Sequence, residues 1–191
     1  MKAFLLSCFL LVPHLVLAAD VRDEVMFEQW RKHQESSVQA FEAFLVKEKL
    51  VGLVPLHHLL RNASDWKKCQ SPPFEVPPQG NWQSVSSTLQ LISELKSRGL
   101  LGSFEVHSAY RNPQLNDCAD GAPESAHKTH YALDITATAQ TKLADALCQF
   151  WRTEGKRWRM GLSRYKSGRI HIDTKRFRTW GNKGKPSYCA A

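Results

Sequence analysis

The chain has few cysteines and lacks several features that are typical of other protein classes. Five cysteines occur among 191 residues. None of them stands in a CxxC spacing, which disfavours a cysteine-based zinc site. The apolar run Ala3–Val12 is too short to span a bilayer comfortably, which disfavours a retained membrane anchor. The sequence has no internal repeat and no low-complexity tract. Its hydrophobic content of 42% and charged content of 23% are those of an ordinary globular protein, and its length suits one compact domain.

Residues 1–18 are predicted to form a signal peptide. Lys2 supplies the positive start, the apolar run follows, and Val16-Leu17-Ala18 is a small-residue cleavage site. Cys8 lies inside the apolar run and no cysteine directly follows the cleavage site, which disfavours a lipidated N-terminus. We therefore expect a secreted or periplasmic protein without stable membrane insertion after signal cleavage.

The predicted export changes the interpretation of the cysteines. Without Cys8 an even number remains, and an oxidising compartment favours two disulfides over free thiols. Four cysteines allow three pairings, and the sequence does not choose between them. Our working prediction joins Cys118 to Cys148 and Cys69 to Cys189.

The chain is basic, with a formal net charge of +8 and a pI near 9.4. The stretches Lys156–Arg159 and Lys175–Arg178 are of the kind that binds nucleic acid. An exported protein, however, meets acidic cell-wall polymers and anionic membrane surfaces more often. A solvated basic surface that keeps the protein soluble explains the same residues. We predict no nucleic-acid partner.

The order of helical and strand patterns predicts an α+β fold, in which helices pack against a small antiparallel sheet. Residues 19–98 are predicted to form a helical segment that packs on the domain, and residues 99–191 its core. The predicted helices are Val21–Lys49, Val85–Arg98 and Thr141–Arg152, and the predicted strands are Phe104–Ser108, Tyr131–Thr136 and Arg169–Thr174.

Two of these strands alternate between apolar and polar side chains. In the first, Asp134 lies on the face opposite Leu133 and Ile135, and in the second, His171 and Asp173 lie opposite the isoleucines. A carboxylate between bulky apolar neighbours is costly to bury without a cation or hydrogen bonds. A metal ion would supply that cation.

His127 precedes the first of these strands, on a predicted loop opened by Gly121. With Asp134 and His171 it makes a set of two imidazoles and one carboxylate. Three protein ligands of this kind form a common catalytic zinc site, because they leave a fourth position for water. The sequence therefore predicts a Zn²⁺ site at these three residues, in a cleft on the sheet.

Several motifs carry a family resemblance. Ser125–His127 and Ala132–Asp134 fit the pattern SxHxxGxAxD, with His130 in place of the glycine, and Ser108–Pro113 resembles SGYRSP. These motifs resemble those of the zinc D-Ala-D-Ala metallopeptidases, whose superfamily includes lysostaphin-type peptidases and the hedgehog signalling domain. A later block resembles GxGxY…VHVDTG…RxW of the murein endopeptidase K branch, and it comprises Gly161–Tyr165, Ile170–Thr174 and Arg178–Trp180.

The resemblance implies roles for the site residues. The three ligands would hold zinc, and Arg111 would bind a substrate carboxylate or steady a developing oxyanion. A salt bridge that pins a loop is the alternative for Arg111. Ser125 and Tyr165 would line the cleft and contact substrate, although a capping serine and a packing tyrosine fit the same positions.

The general base is not fixed by the resemblance. Many relatives place a histidine or an acidic residue two or three positions before the last ligand, where this chain has Arg169 and Gly168. Asp173, on the same strand face as His171, is then the predicted base, with orientation of a ligand as the alternative. His130 and His107 are further candidates.

The resemblance thus implies an exported zinc peptidase that hydrolyses amide bonds in peptidoglycan peptides, with crosslink-cleaving endopeptidase activity as the first expectation. A D-Ala-type carboxypeptidase and a catalytically inactive, zinc-containing wall-binding module are the alternatives. The sequence does not identify the crosslink, the oligomeric state or the role of the N-terminal helices.

Overall fold

The computed structural model describes residues 23–137, 143–181 and 187–189. The predicted signal peptide lies outside these ranges. No helix in the described ranges combines the length and apolar character needed to cross a membrane.

The described residues form an α+β fold, which confirms the predicted class. The helices are α1 (23–31), α2 (Glu35–Lys47), α3 (Leu56–Leu59), α4 (Trp82–Ser97), α5 (Pro113–Cys118), α6 (Ala126–Thr129) and α7 (Leu143–Glu154), and a single 3₁₀ turn (Gln79–Asn81) precedes α4. The strands are β1 (Phe104–Ser108), β2 (Ala132–Ala137), β3 (Gly161–Arg164), β4 (Ile170–Asp173) and β5 (Arg178–Trp180).

The sheet is mixed, so the prediction of an antiparallel sheet is wrong at one edge. The strand order is β1-β2-β4-β3-β5, and the first four strands pair antiparallel. β5 pairs parallel to β3. The physical reason is the short connection 174–177, which reverses the chain after β4 and carries it past the end of β3. β5 therefore runs opposite to β4, in the direction of β3.

The predicted first helix is divided into α1 and α2. A turn separates the two helices, in which the backbone N–H groups of His33 and Gln34 donate to the carbonyl oxygens three residues earlier. The break lets the aromatic face of α1 pack on the proline-rich segment, with the ring of Phe27 lying 5.2 Å from that of Phe74. A continuous helical pattern does not reveal such a break, because both halves keep the same apolar spacing.

The N-terminal helices support the sheet through α4. Its apolar face packs in the same hydrophobic core as the isoleucines of β4. Two polar contacts also join α4 and its N-cap to the sheet region. Thr88 Oγ1 lies 3.0 Å from Thr174 Oγ1, and Asn81 Nδ2 donates to the carbonyl oxygen of His130 at 2.7 Å. α4 thus braces both the segment after α6 and the end of β4.

Two disulfides are present, as predicted, but the working pairing is wrong. Cys69 is bonded to Cys118, and Cys148 to Cys189. The second bond forms because the C-terminal tail lies along α7, where Arg152 Nη2 donates to the carbonyl oxygen of Cys189. The first bond ties the loop after α3 to the end of α5. Two disulfides are consistent with the oxidising compartment predicted above.

Candidate metal centre

Three side chains from three different elements converge to form a buried group that can hold a metal ion. They are His127 from α6, Asp134 from β2 and His171 from β4. Nε2 of His127 lies 3.1 Å from Oδ1 of Asp134 and 3.2 Å from Nδ1 of His171, and the last two atoms lie 2.9 Å apart. Their residues are only 1–3% exposed.

Strand pairing brings two of the three together. Asp134 lies directly opposite His171 in the β2–β4 register, and both point away from the apolar core. His127 lies on the short helix α6 rather than on the predicted loop. Its backbone carbonyl accepts a hydrogen bond from the N–H of Arg111 at 3.0 Å. The position of His127 is therefore fixed by the segment that follows β1.

Hydrogen bonds on the outer side of each imidazole determine which nitrogen is free. Nδ1 of His127 lies 2.5 Å from the carbonyl oxygen of Ala109, which can only accept, so Nδ1 carries the proton. Nε2 of His171 lies 2.8 Å from Oδ2 of Asp173 and donates to it. In neutral rings, the two remaining nitrogens then present lone pairs to each other and to the carboxylate of Asp134. Lone pairs at this distance repel, and a cation between them would relieve the repulsion.

The distances suit a small metal ion. Ligand atoms placed about 2.0–2.1 Å from a tetrahedral metal lie about 3.3 Å apart. The observed separations of 2.9–3.2 Å need only a small outward movement of the side chains to reach that value. A set of two nitrogens and one oxygen suits several divalent transition metals, so the residues fit a metal without selecting which one.

The pKa values of the two histidines shift in opposite directions. Burial, followed by the charge of Arg111, lowers the pKa of His127 to about 4, so its imidazole is neutral at neutral pH. For His171, burial acts to lower the pKa, but hydrogen bonds to Asp134 and Asp173 outweigh it and raise the pKa. The carboxylates of Asp134 and Asp173 therefore favour positive charge at His171, which is the sign of charge that a metal ion would bring.

Asp173 lies behind His171, on the side away from the other ligands. Oδ2 accepts hydrogen bonds from His171 Nε2 at 2.8 Å and Arg178 Nη2 at 2.7 Å. Oδ1 accepts from Arg178 Nη1 at 3.0 Å and from the N–H of Lys175 at 2.7 Å. Burial alone would raise the pKa of Asp173, but the bonds from His171 and Arg178 hold it below the usual range. The carboxylate therefore occupies the position of a group that orients a ligand.

The cluster adjoins a cleft of about 490 Å³ through Asp134, and Arg111, Ser125 and Tyr165 are among the other residues that line this cleft. Arg111 Nη2 donates to Oδ2 of Asp134 at 2.7 Å, and its Nε donates to Ser108 Oγ at 2.9 Å. Tyr165 Oη lies 3.2 Å from Nδ1 of His171. Burial, and then the charge of Asp134, raises the pKa of Tyr165, so the phenol stays protonated. The Ser125 side chain makes no capping hydrogen bond, although it precedes α6.

The other histidines considered from sequence are not brought to the cluster. His107 Nε2 lies 2.8 Å from Thr136 Oγ1 and lines a separate cavity. His130 contacts its neighbour Thr129. Arg169 lines the cleft, with Nη1 donating to Ser64 Oγ at 2.9 Å.

Two parts of the site were missed from sequence. Residues 63–65, between α3 and the first disulfide, form part of the cleft wall. No local pattern indicates that contact, because the wall is far from the motifs along the chain. The ring of Trp180 packs 5.0 Å from that of His171. Trp180 belongs to the resemblance block, and that is the signal by which it could have been found.

Gly161 provides a test of the support behind His171. It lies opposite Asp173 in the β3–β4 register, and a Cβ atom there would overlap Oδ2 of Asp173 and lie 2.6 Å from Arg178 Nη1. We expect Gly161→Ala to lower the free energy of unfolding by about 1–3 kcal/mol. It should also weaken metal binding, because Asp173 must leave His171.

Thermal unfolding with and without added zinc measures both effects. Gly80→Ala is the matched control, since nothing lies within 4 Å of a Cβ at that position. Equal melting temperatures and equal zinc affinities for the two variants would contradict the prediction.

Comparisons with protein-family models, with curated proteins and with solved structures find no match to this chain.

Proposed function

We propose that this protein is an exported zinc-dependent peptidase that hydrolyses amide bonds in peptidoglycan peptides, acting as a crosslink-cleaving endopeptidase. The observation that carries the proposal is the convergence of His127, Asp134 and His171 within 2.9–3.2 Å at the side of an open cleft. The choice of wall peptides as substrate rests on the motif resemblance, which also supports zinc as the metal.

The three converging residues would hold the metal through Nε2 of His127, Oδ1 of Asp134 and Nδ1 of His171. When bound, a zinc ion supplies Lewis acidity that polarises a scissile carbonyl and lowers the pKa of a water molecule. Asp134 of this group lines the cleft, where Tyr165 and Arg111 also lie.

Arg111 and Tyr165 are placed to act on substrate. Part of the Arg111 guanidinium is used to hold Asp134, and the group is fixed in direction by its bonds to Asp134 and Ser108. A fixed guanidinium suits a substrate carboxylate or a developing oxyanion. The protonated hydroxyl of Tyr165 can donate a hydrogen bond to the same region. Ser125, at the start of α6, would contact the substrate backbone.

We assign Asp173 to the orientation of His171 and not to proton transfer. Four hydrogen-bond donors already occupy its two oxygens, and the imidazole of His171 separates it from the other ligands. The proton acceptor is then one of the acidic side chains other than Asp134 that line the cleft in the described part of the chain, and these are Asp65, Asp120 and Glu124.

Two observations favour the alternatives. Arg169, two positions before His171, is hydrogen-bonded to Ser64 and provides no base, which favours a metal-containing wall-binding module. Arg111 faces the cleft and could bind a terminal carboxylate, which favours a carboxypeptidase.

The deciding experiment uses the purified mature protein and crosslinked muropeptide dimers. Bound zinc is measured first, and the products are then separated by liquid chromatography and mass spectrometry. Conversion of dimers to monomers supports the endopeptidase. Loss of one terminal residue identifies a carboxypeptidase. One equivalent of zinc without turnover of any muropeptide identifies a binding module and contradicts the proposed hydrolysis.

A further inference from the structure

The two basic stretches of the sequence lie side by side in the structure. Lys156–Arg159 lies in the turn between α7 and β3, and Lys175–Arg178 leads from β4 into β5. Arg159 Nη2 donates to the carbonyl oxygen of Lys175 at 2.7 Å, and the N–H of Arg178 donates to the carbonyl of Met160 at 3.1 Å. Folding thus makes one surface from segments that are separate in sequence. We call it the basic surface, and its members are Trp151, Lys156, Arg157, Arg159, Lys175, Arg176 and Phe177.

An aromatic pair lies within the basic surface. The ring of Phe177 stacks on that of Trp151, with centroids 4.5 Å apart and planes 15° apart, and Phe177 is 39% exposed. Trp151 Nε1 donates to the carbonyl of Met160 at 3.2 Å, which fixes the pair. A fixed and exposed aromatic face offers a flat apolar contact of the kind that packs against the C–H face of a sugar ring.

Of the five cations around this pair, Lys175 is engaged, because its Nζ donates to Thr129 Oγ1 at 2.8 Å and lies 3.4 Å from Glu124 Oε2. The others have no short ion pair among the described residues. Arg157 is 73% exposed, and its contact with Glu154 is long, at 3.9 Å. Glu154 is itself engaged by Arg98. Within the described residues, Lys156 and Arg176 form no ion pair, and both are exposed. The surface therefore carries an excess of positive charge that an anionic polymer would neutralise.

Arg176 also lines the cleft, so the basic surface runs into the candidate metal centre. A polymer bound along the surface would be held with part of its length at the cleft. Single-stranded nucleic acid is less suited to this surface, because its binding uses several aromatic side chains for successive bases. Of the aromatic side chains described here, Phe177 is exposed, whereas Trp151 and Trp158 are half-buried.

We propose that the basic surface binds an anionic polysaccharide, a chain of sugars that carries carboxylate or phosphate groups, and holds it beside the cleft. The binding itself stands on the surface alone, whereas its use in presenting substrate rests on the proposed function.

Binding is tested with the metal-free protein, so that failure of the proposed hydrolysis leaves the result unaffected. The probe is polygalacturonate, measured by isothermal titration calorimetry against neutral dextran, single-stranded DNA and phosphatidylglycerol vesicles. We expect binding to polygalacturonate that weakens with salt and exceeds binding to the other three probes. Tighter binding to DNA or vesicles, or equal binding to dextran, overturns the proposal.

Variants locate the site. Lys156→Gln with Arg157→Gln should weaken binding about tenfold, through the loss of two cations. The matched control is Lys32→Gln with Lys47→Gln, which removes the same charge from the N-terminal helices.

Phe177→Ala should weaken binding about fivefold, because the flat aromatic contact is lost. Phe177→Trp should bind about as tightly as the unchanged protein, because that contact is kept. Equal affinities for the two double variants, or no effect of Phe177→Ala, overturn the proposal.

Discussion

Replacing His127 with alanine is expected to lower the affinity for zinc at least ~100-fold and to abolish hydrolysis of muropeptides. A four-ligand zinc site contributes about 10–16 kcal/mol, so each ligand accounts for about 3 kcal/mol. His127 is held in place by two hydrogen bonds, since its Nδ1 donates to the carbonyl oxygen of Ala109 and its backbone carbonyl accepts from Arg111. Zinc content by mass spectrometry and competition with a chelator measure the loss.

His130→Ala is the matched control for this prediction. It removes the same type of side chain three residues away, from a position that contacts Thr129 rather than the cluster. Circular dichroism establishes that both variants are folded. If His127→Ala kept zinc with the affinity of the unchanged protein, the metal centre as assigned would be wrong.

The second large effect is expected for Asp173→Asn. Loss of the carboxylate behind His171 should lower zinc affinity about 10–100-fold, because partners of this kind fix the ring and increase its basicity. Turnover should recover as zinc is raised, since the substitution acts on metal binding. It should also lower the melting temperature, because Arg178 loses its bidentate partner.

This variant separates the two roles considered for Asp173. If Asp173 were a general base, its substitution would leave zinc affinity unchanged and remove turnover at every zinc concentration. That result would contradict our assignment. Asp145→Asn is the control, because it removes a carboxylate from an exposed position at the start of α7. Zinc titration of turnover for both variants provides the comparison.

The cluster could be predicted from the sequence because the alternation of apolar and polar side chains within a single strand is a local pattern. Alternation along β2 and β4 predicts that Asp134 and His171 share a polar face, and this depends only on strand geometry. The α+β class follows in the same way from helical and strand periods. These inferences need no knowledge of which strands are neighbours.

The missed features depend on contacts between distant segments. β3 and β5 are strands of four and three residues, too short to show a period. Without β3, nothing in the sequence indicates that Gly161 makes room for the Asp173–Arg178 pair. That pair determines the role of Asp173. The disulfide pairing was likewise undecided, because it depends on where the tail lies against α7.

The direct pairing of Asp134 with His171 across β2 and β4 has a consequence for how the chain folds. A slip of one residue between these strands would turn one of the two side chains to the apolar face, so a sheet mispaired in this way would not present both side chains to a metal ion. A metal ion bound at these residues would therefore favour the correct strand alignment during folding. Refolding with the ion present should give a higher yield of correctly aligned chains than refolding with a chelator.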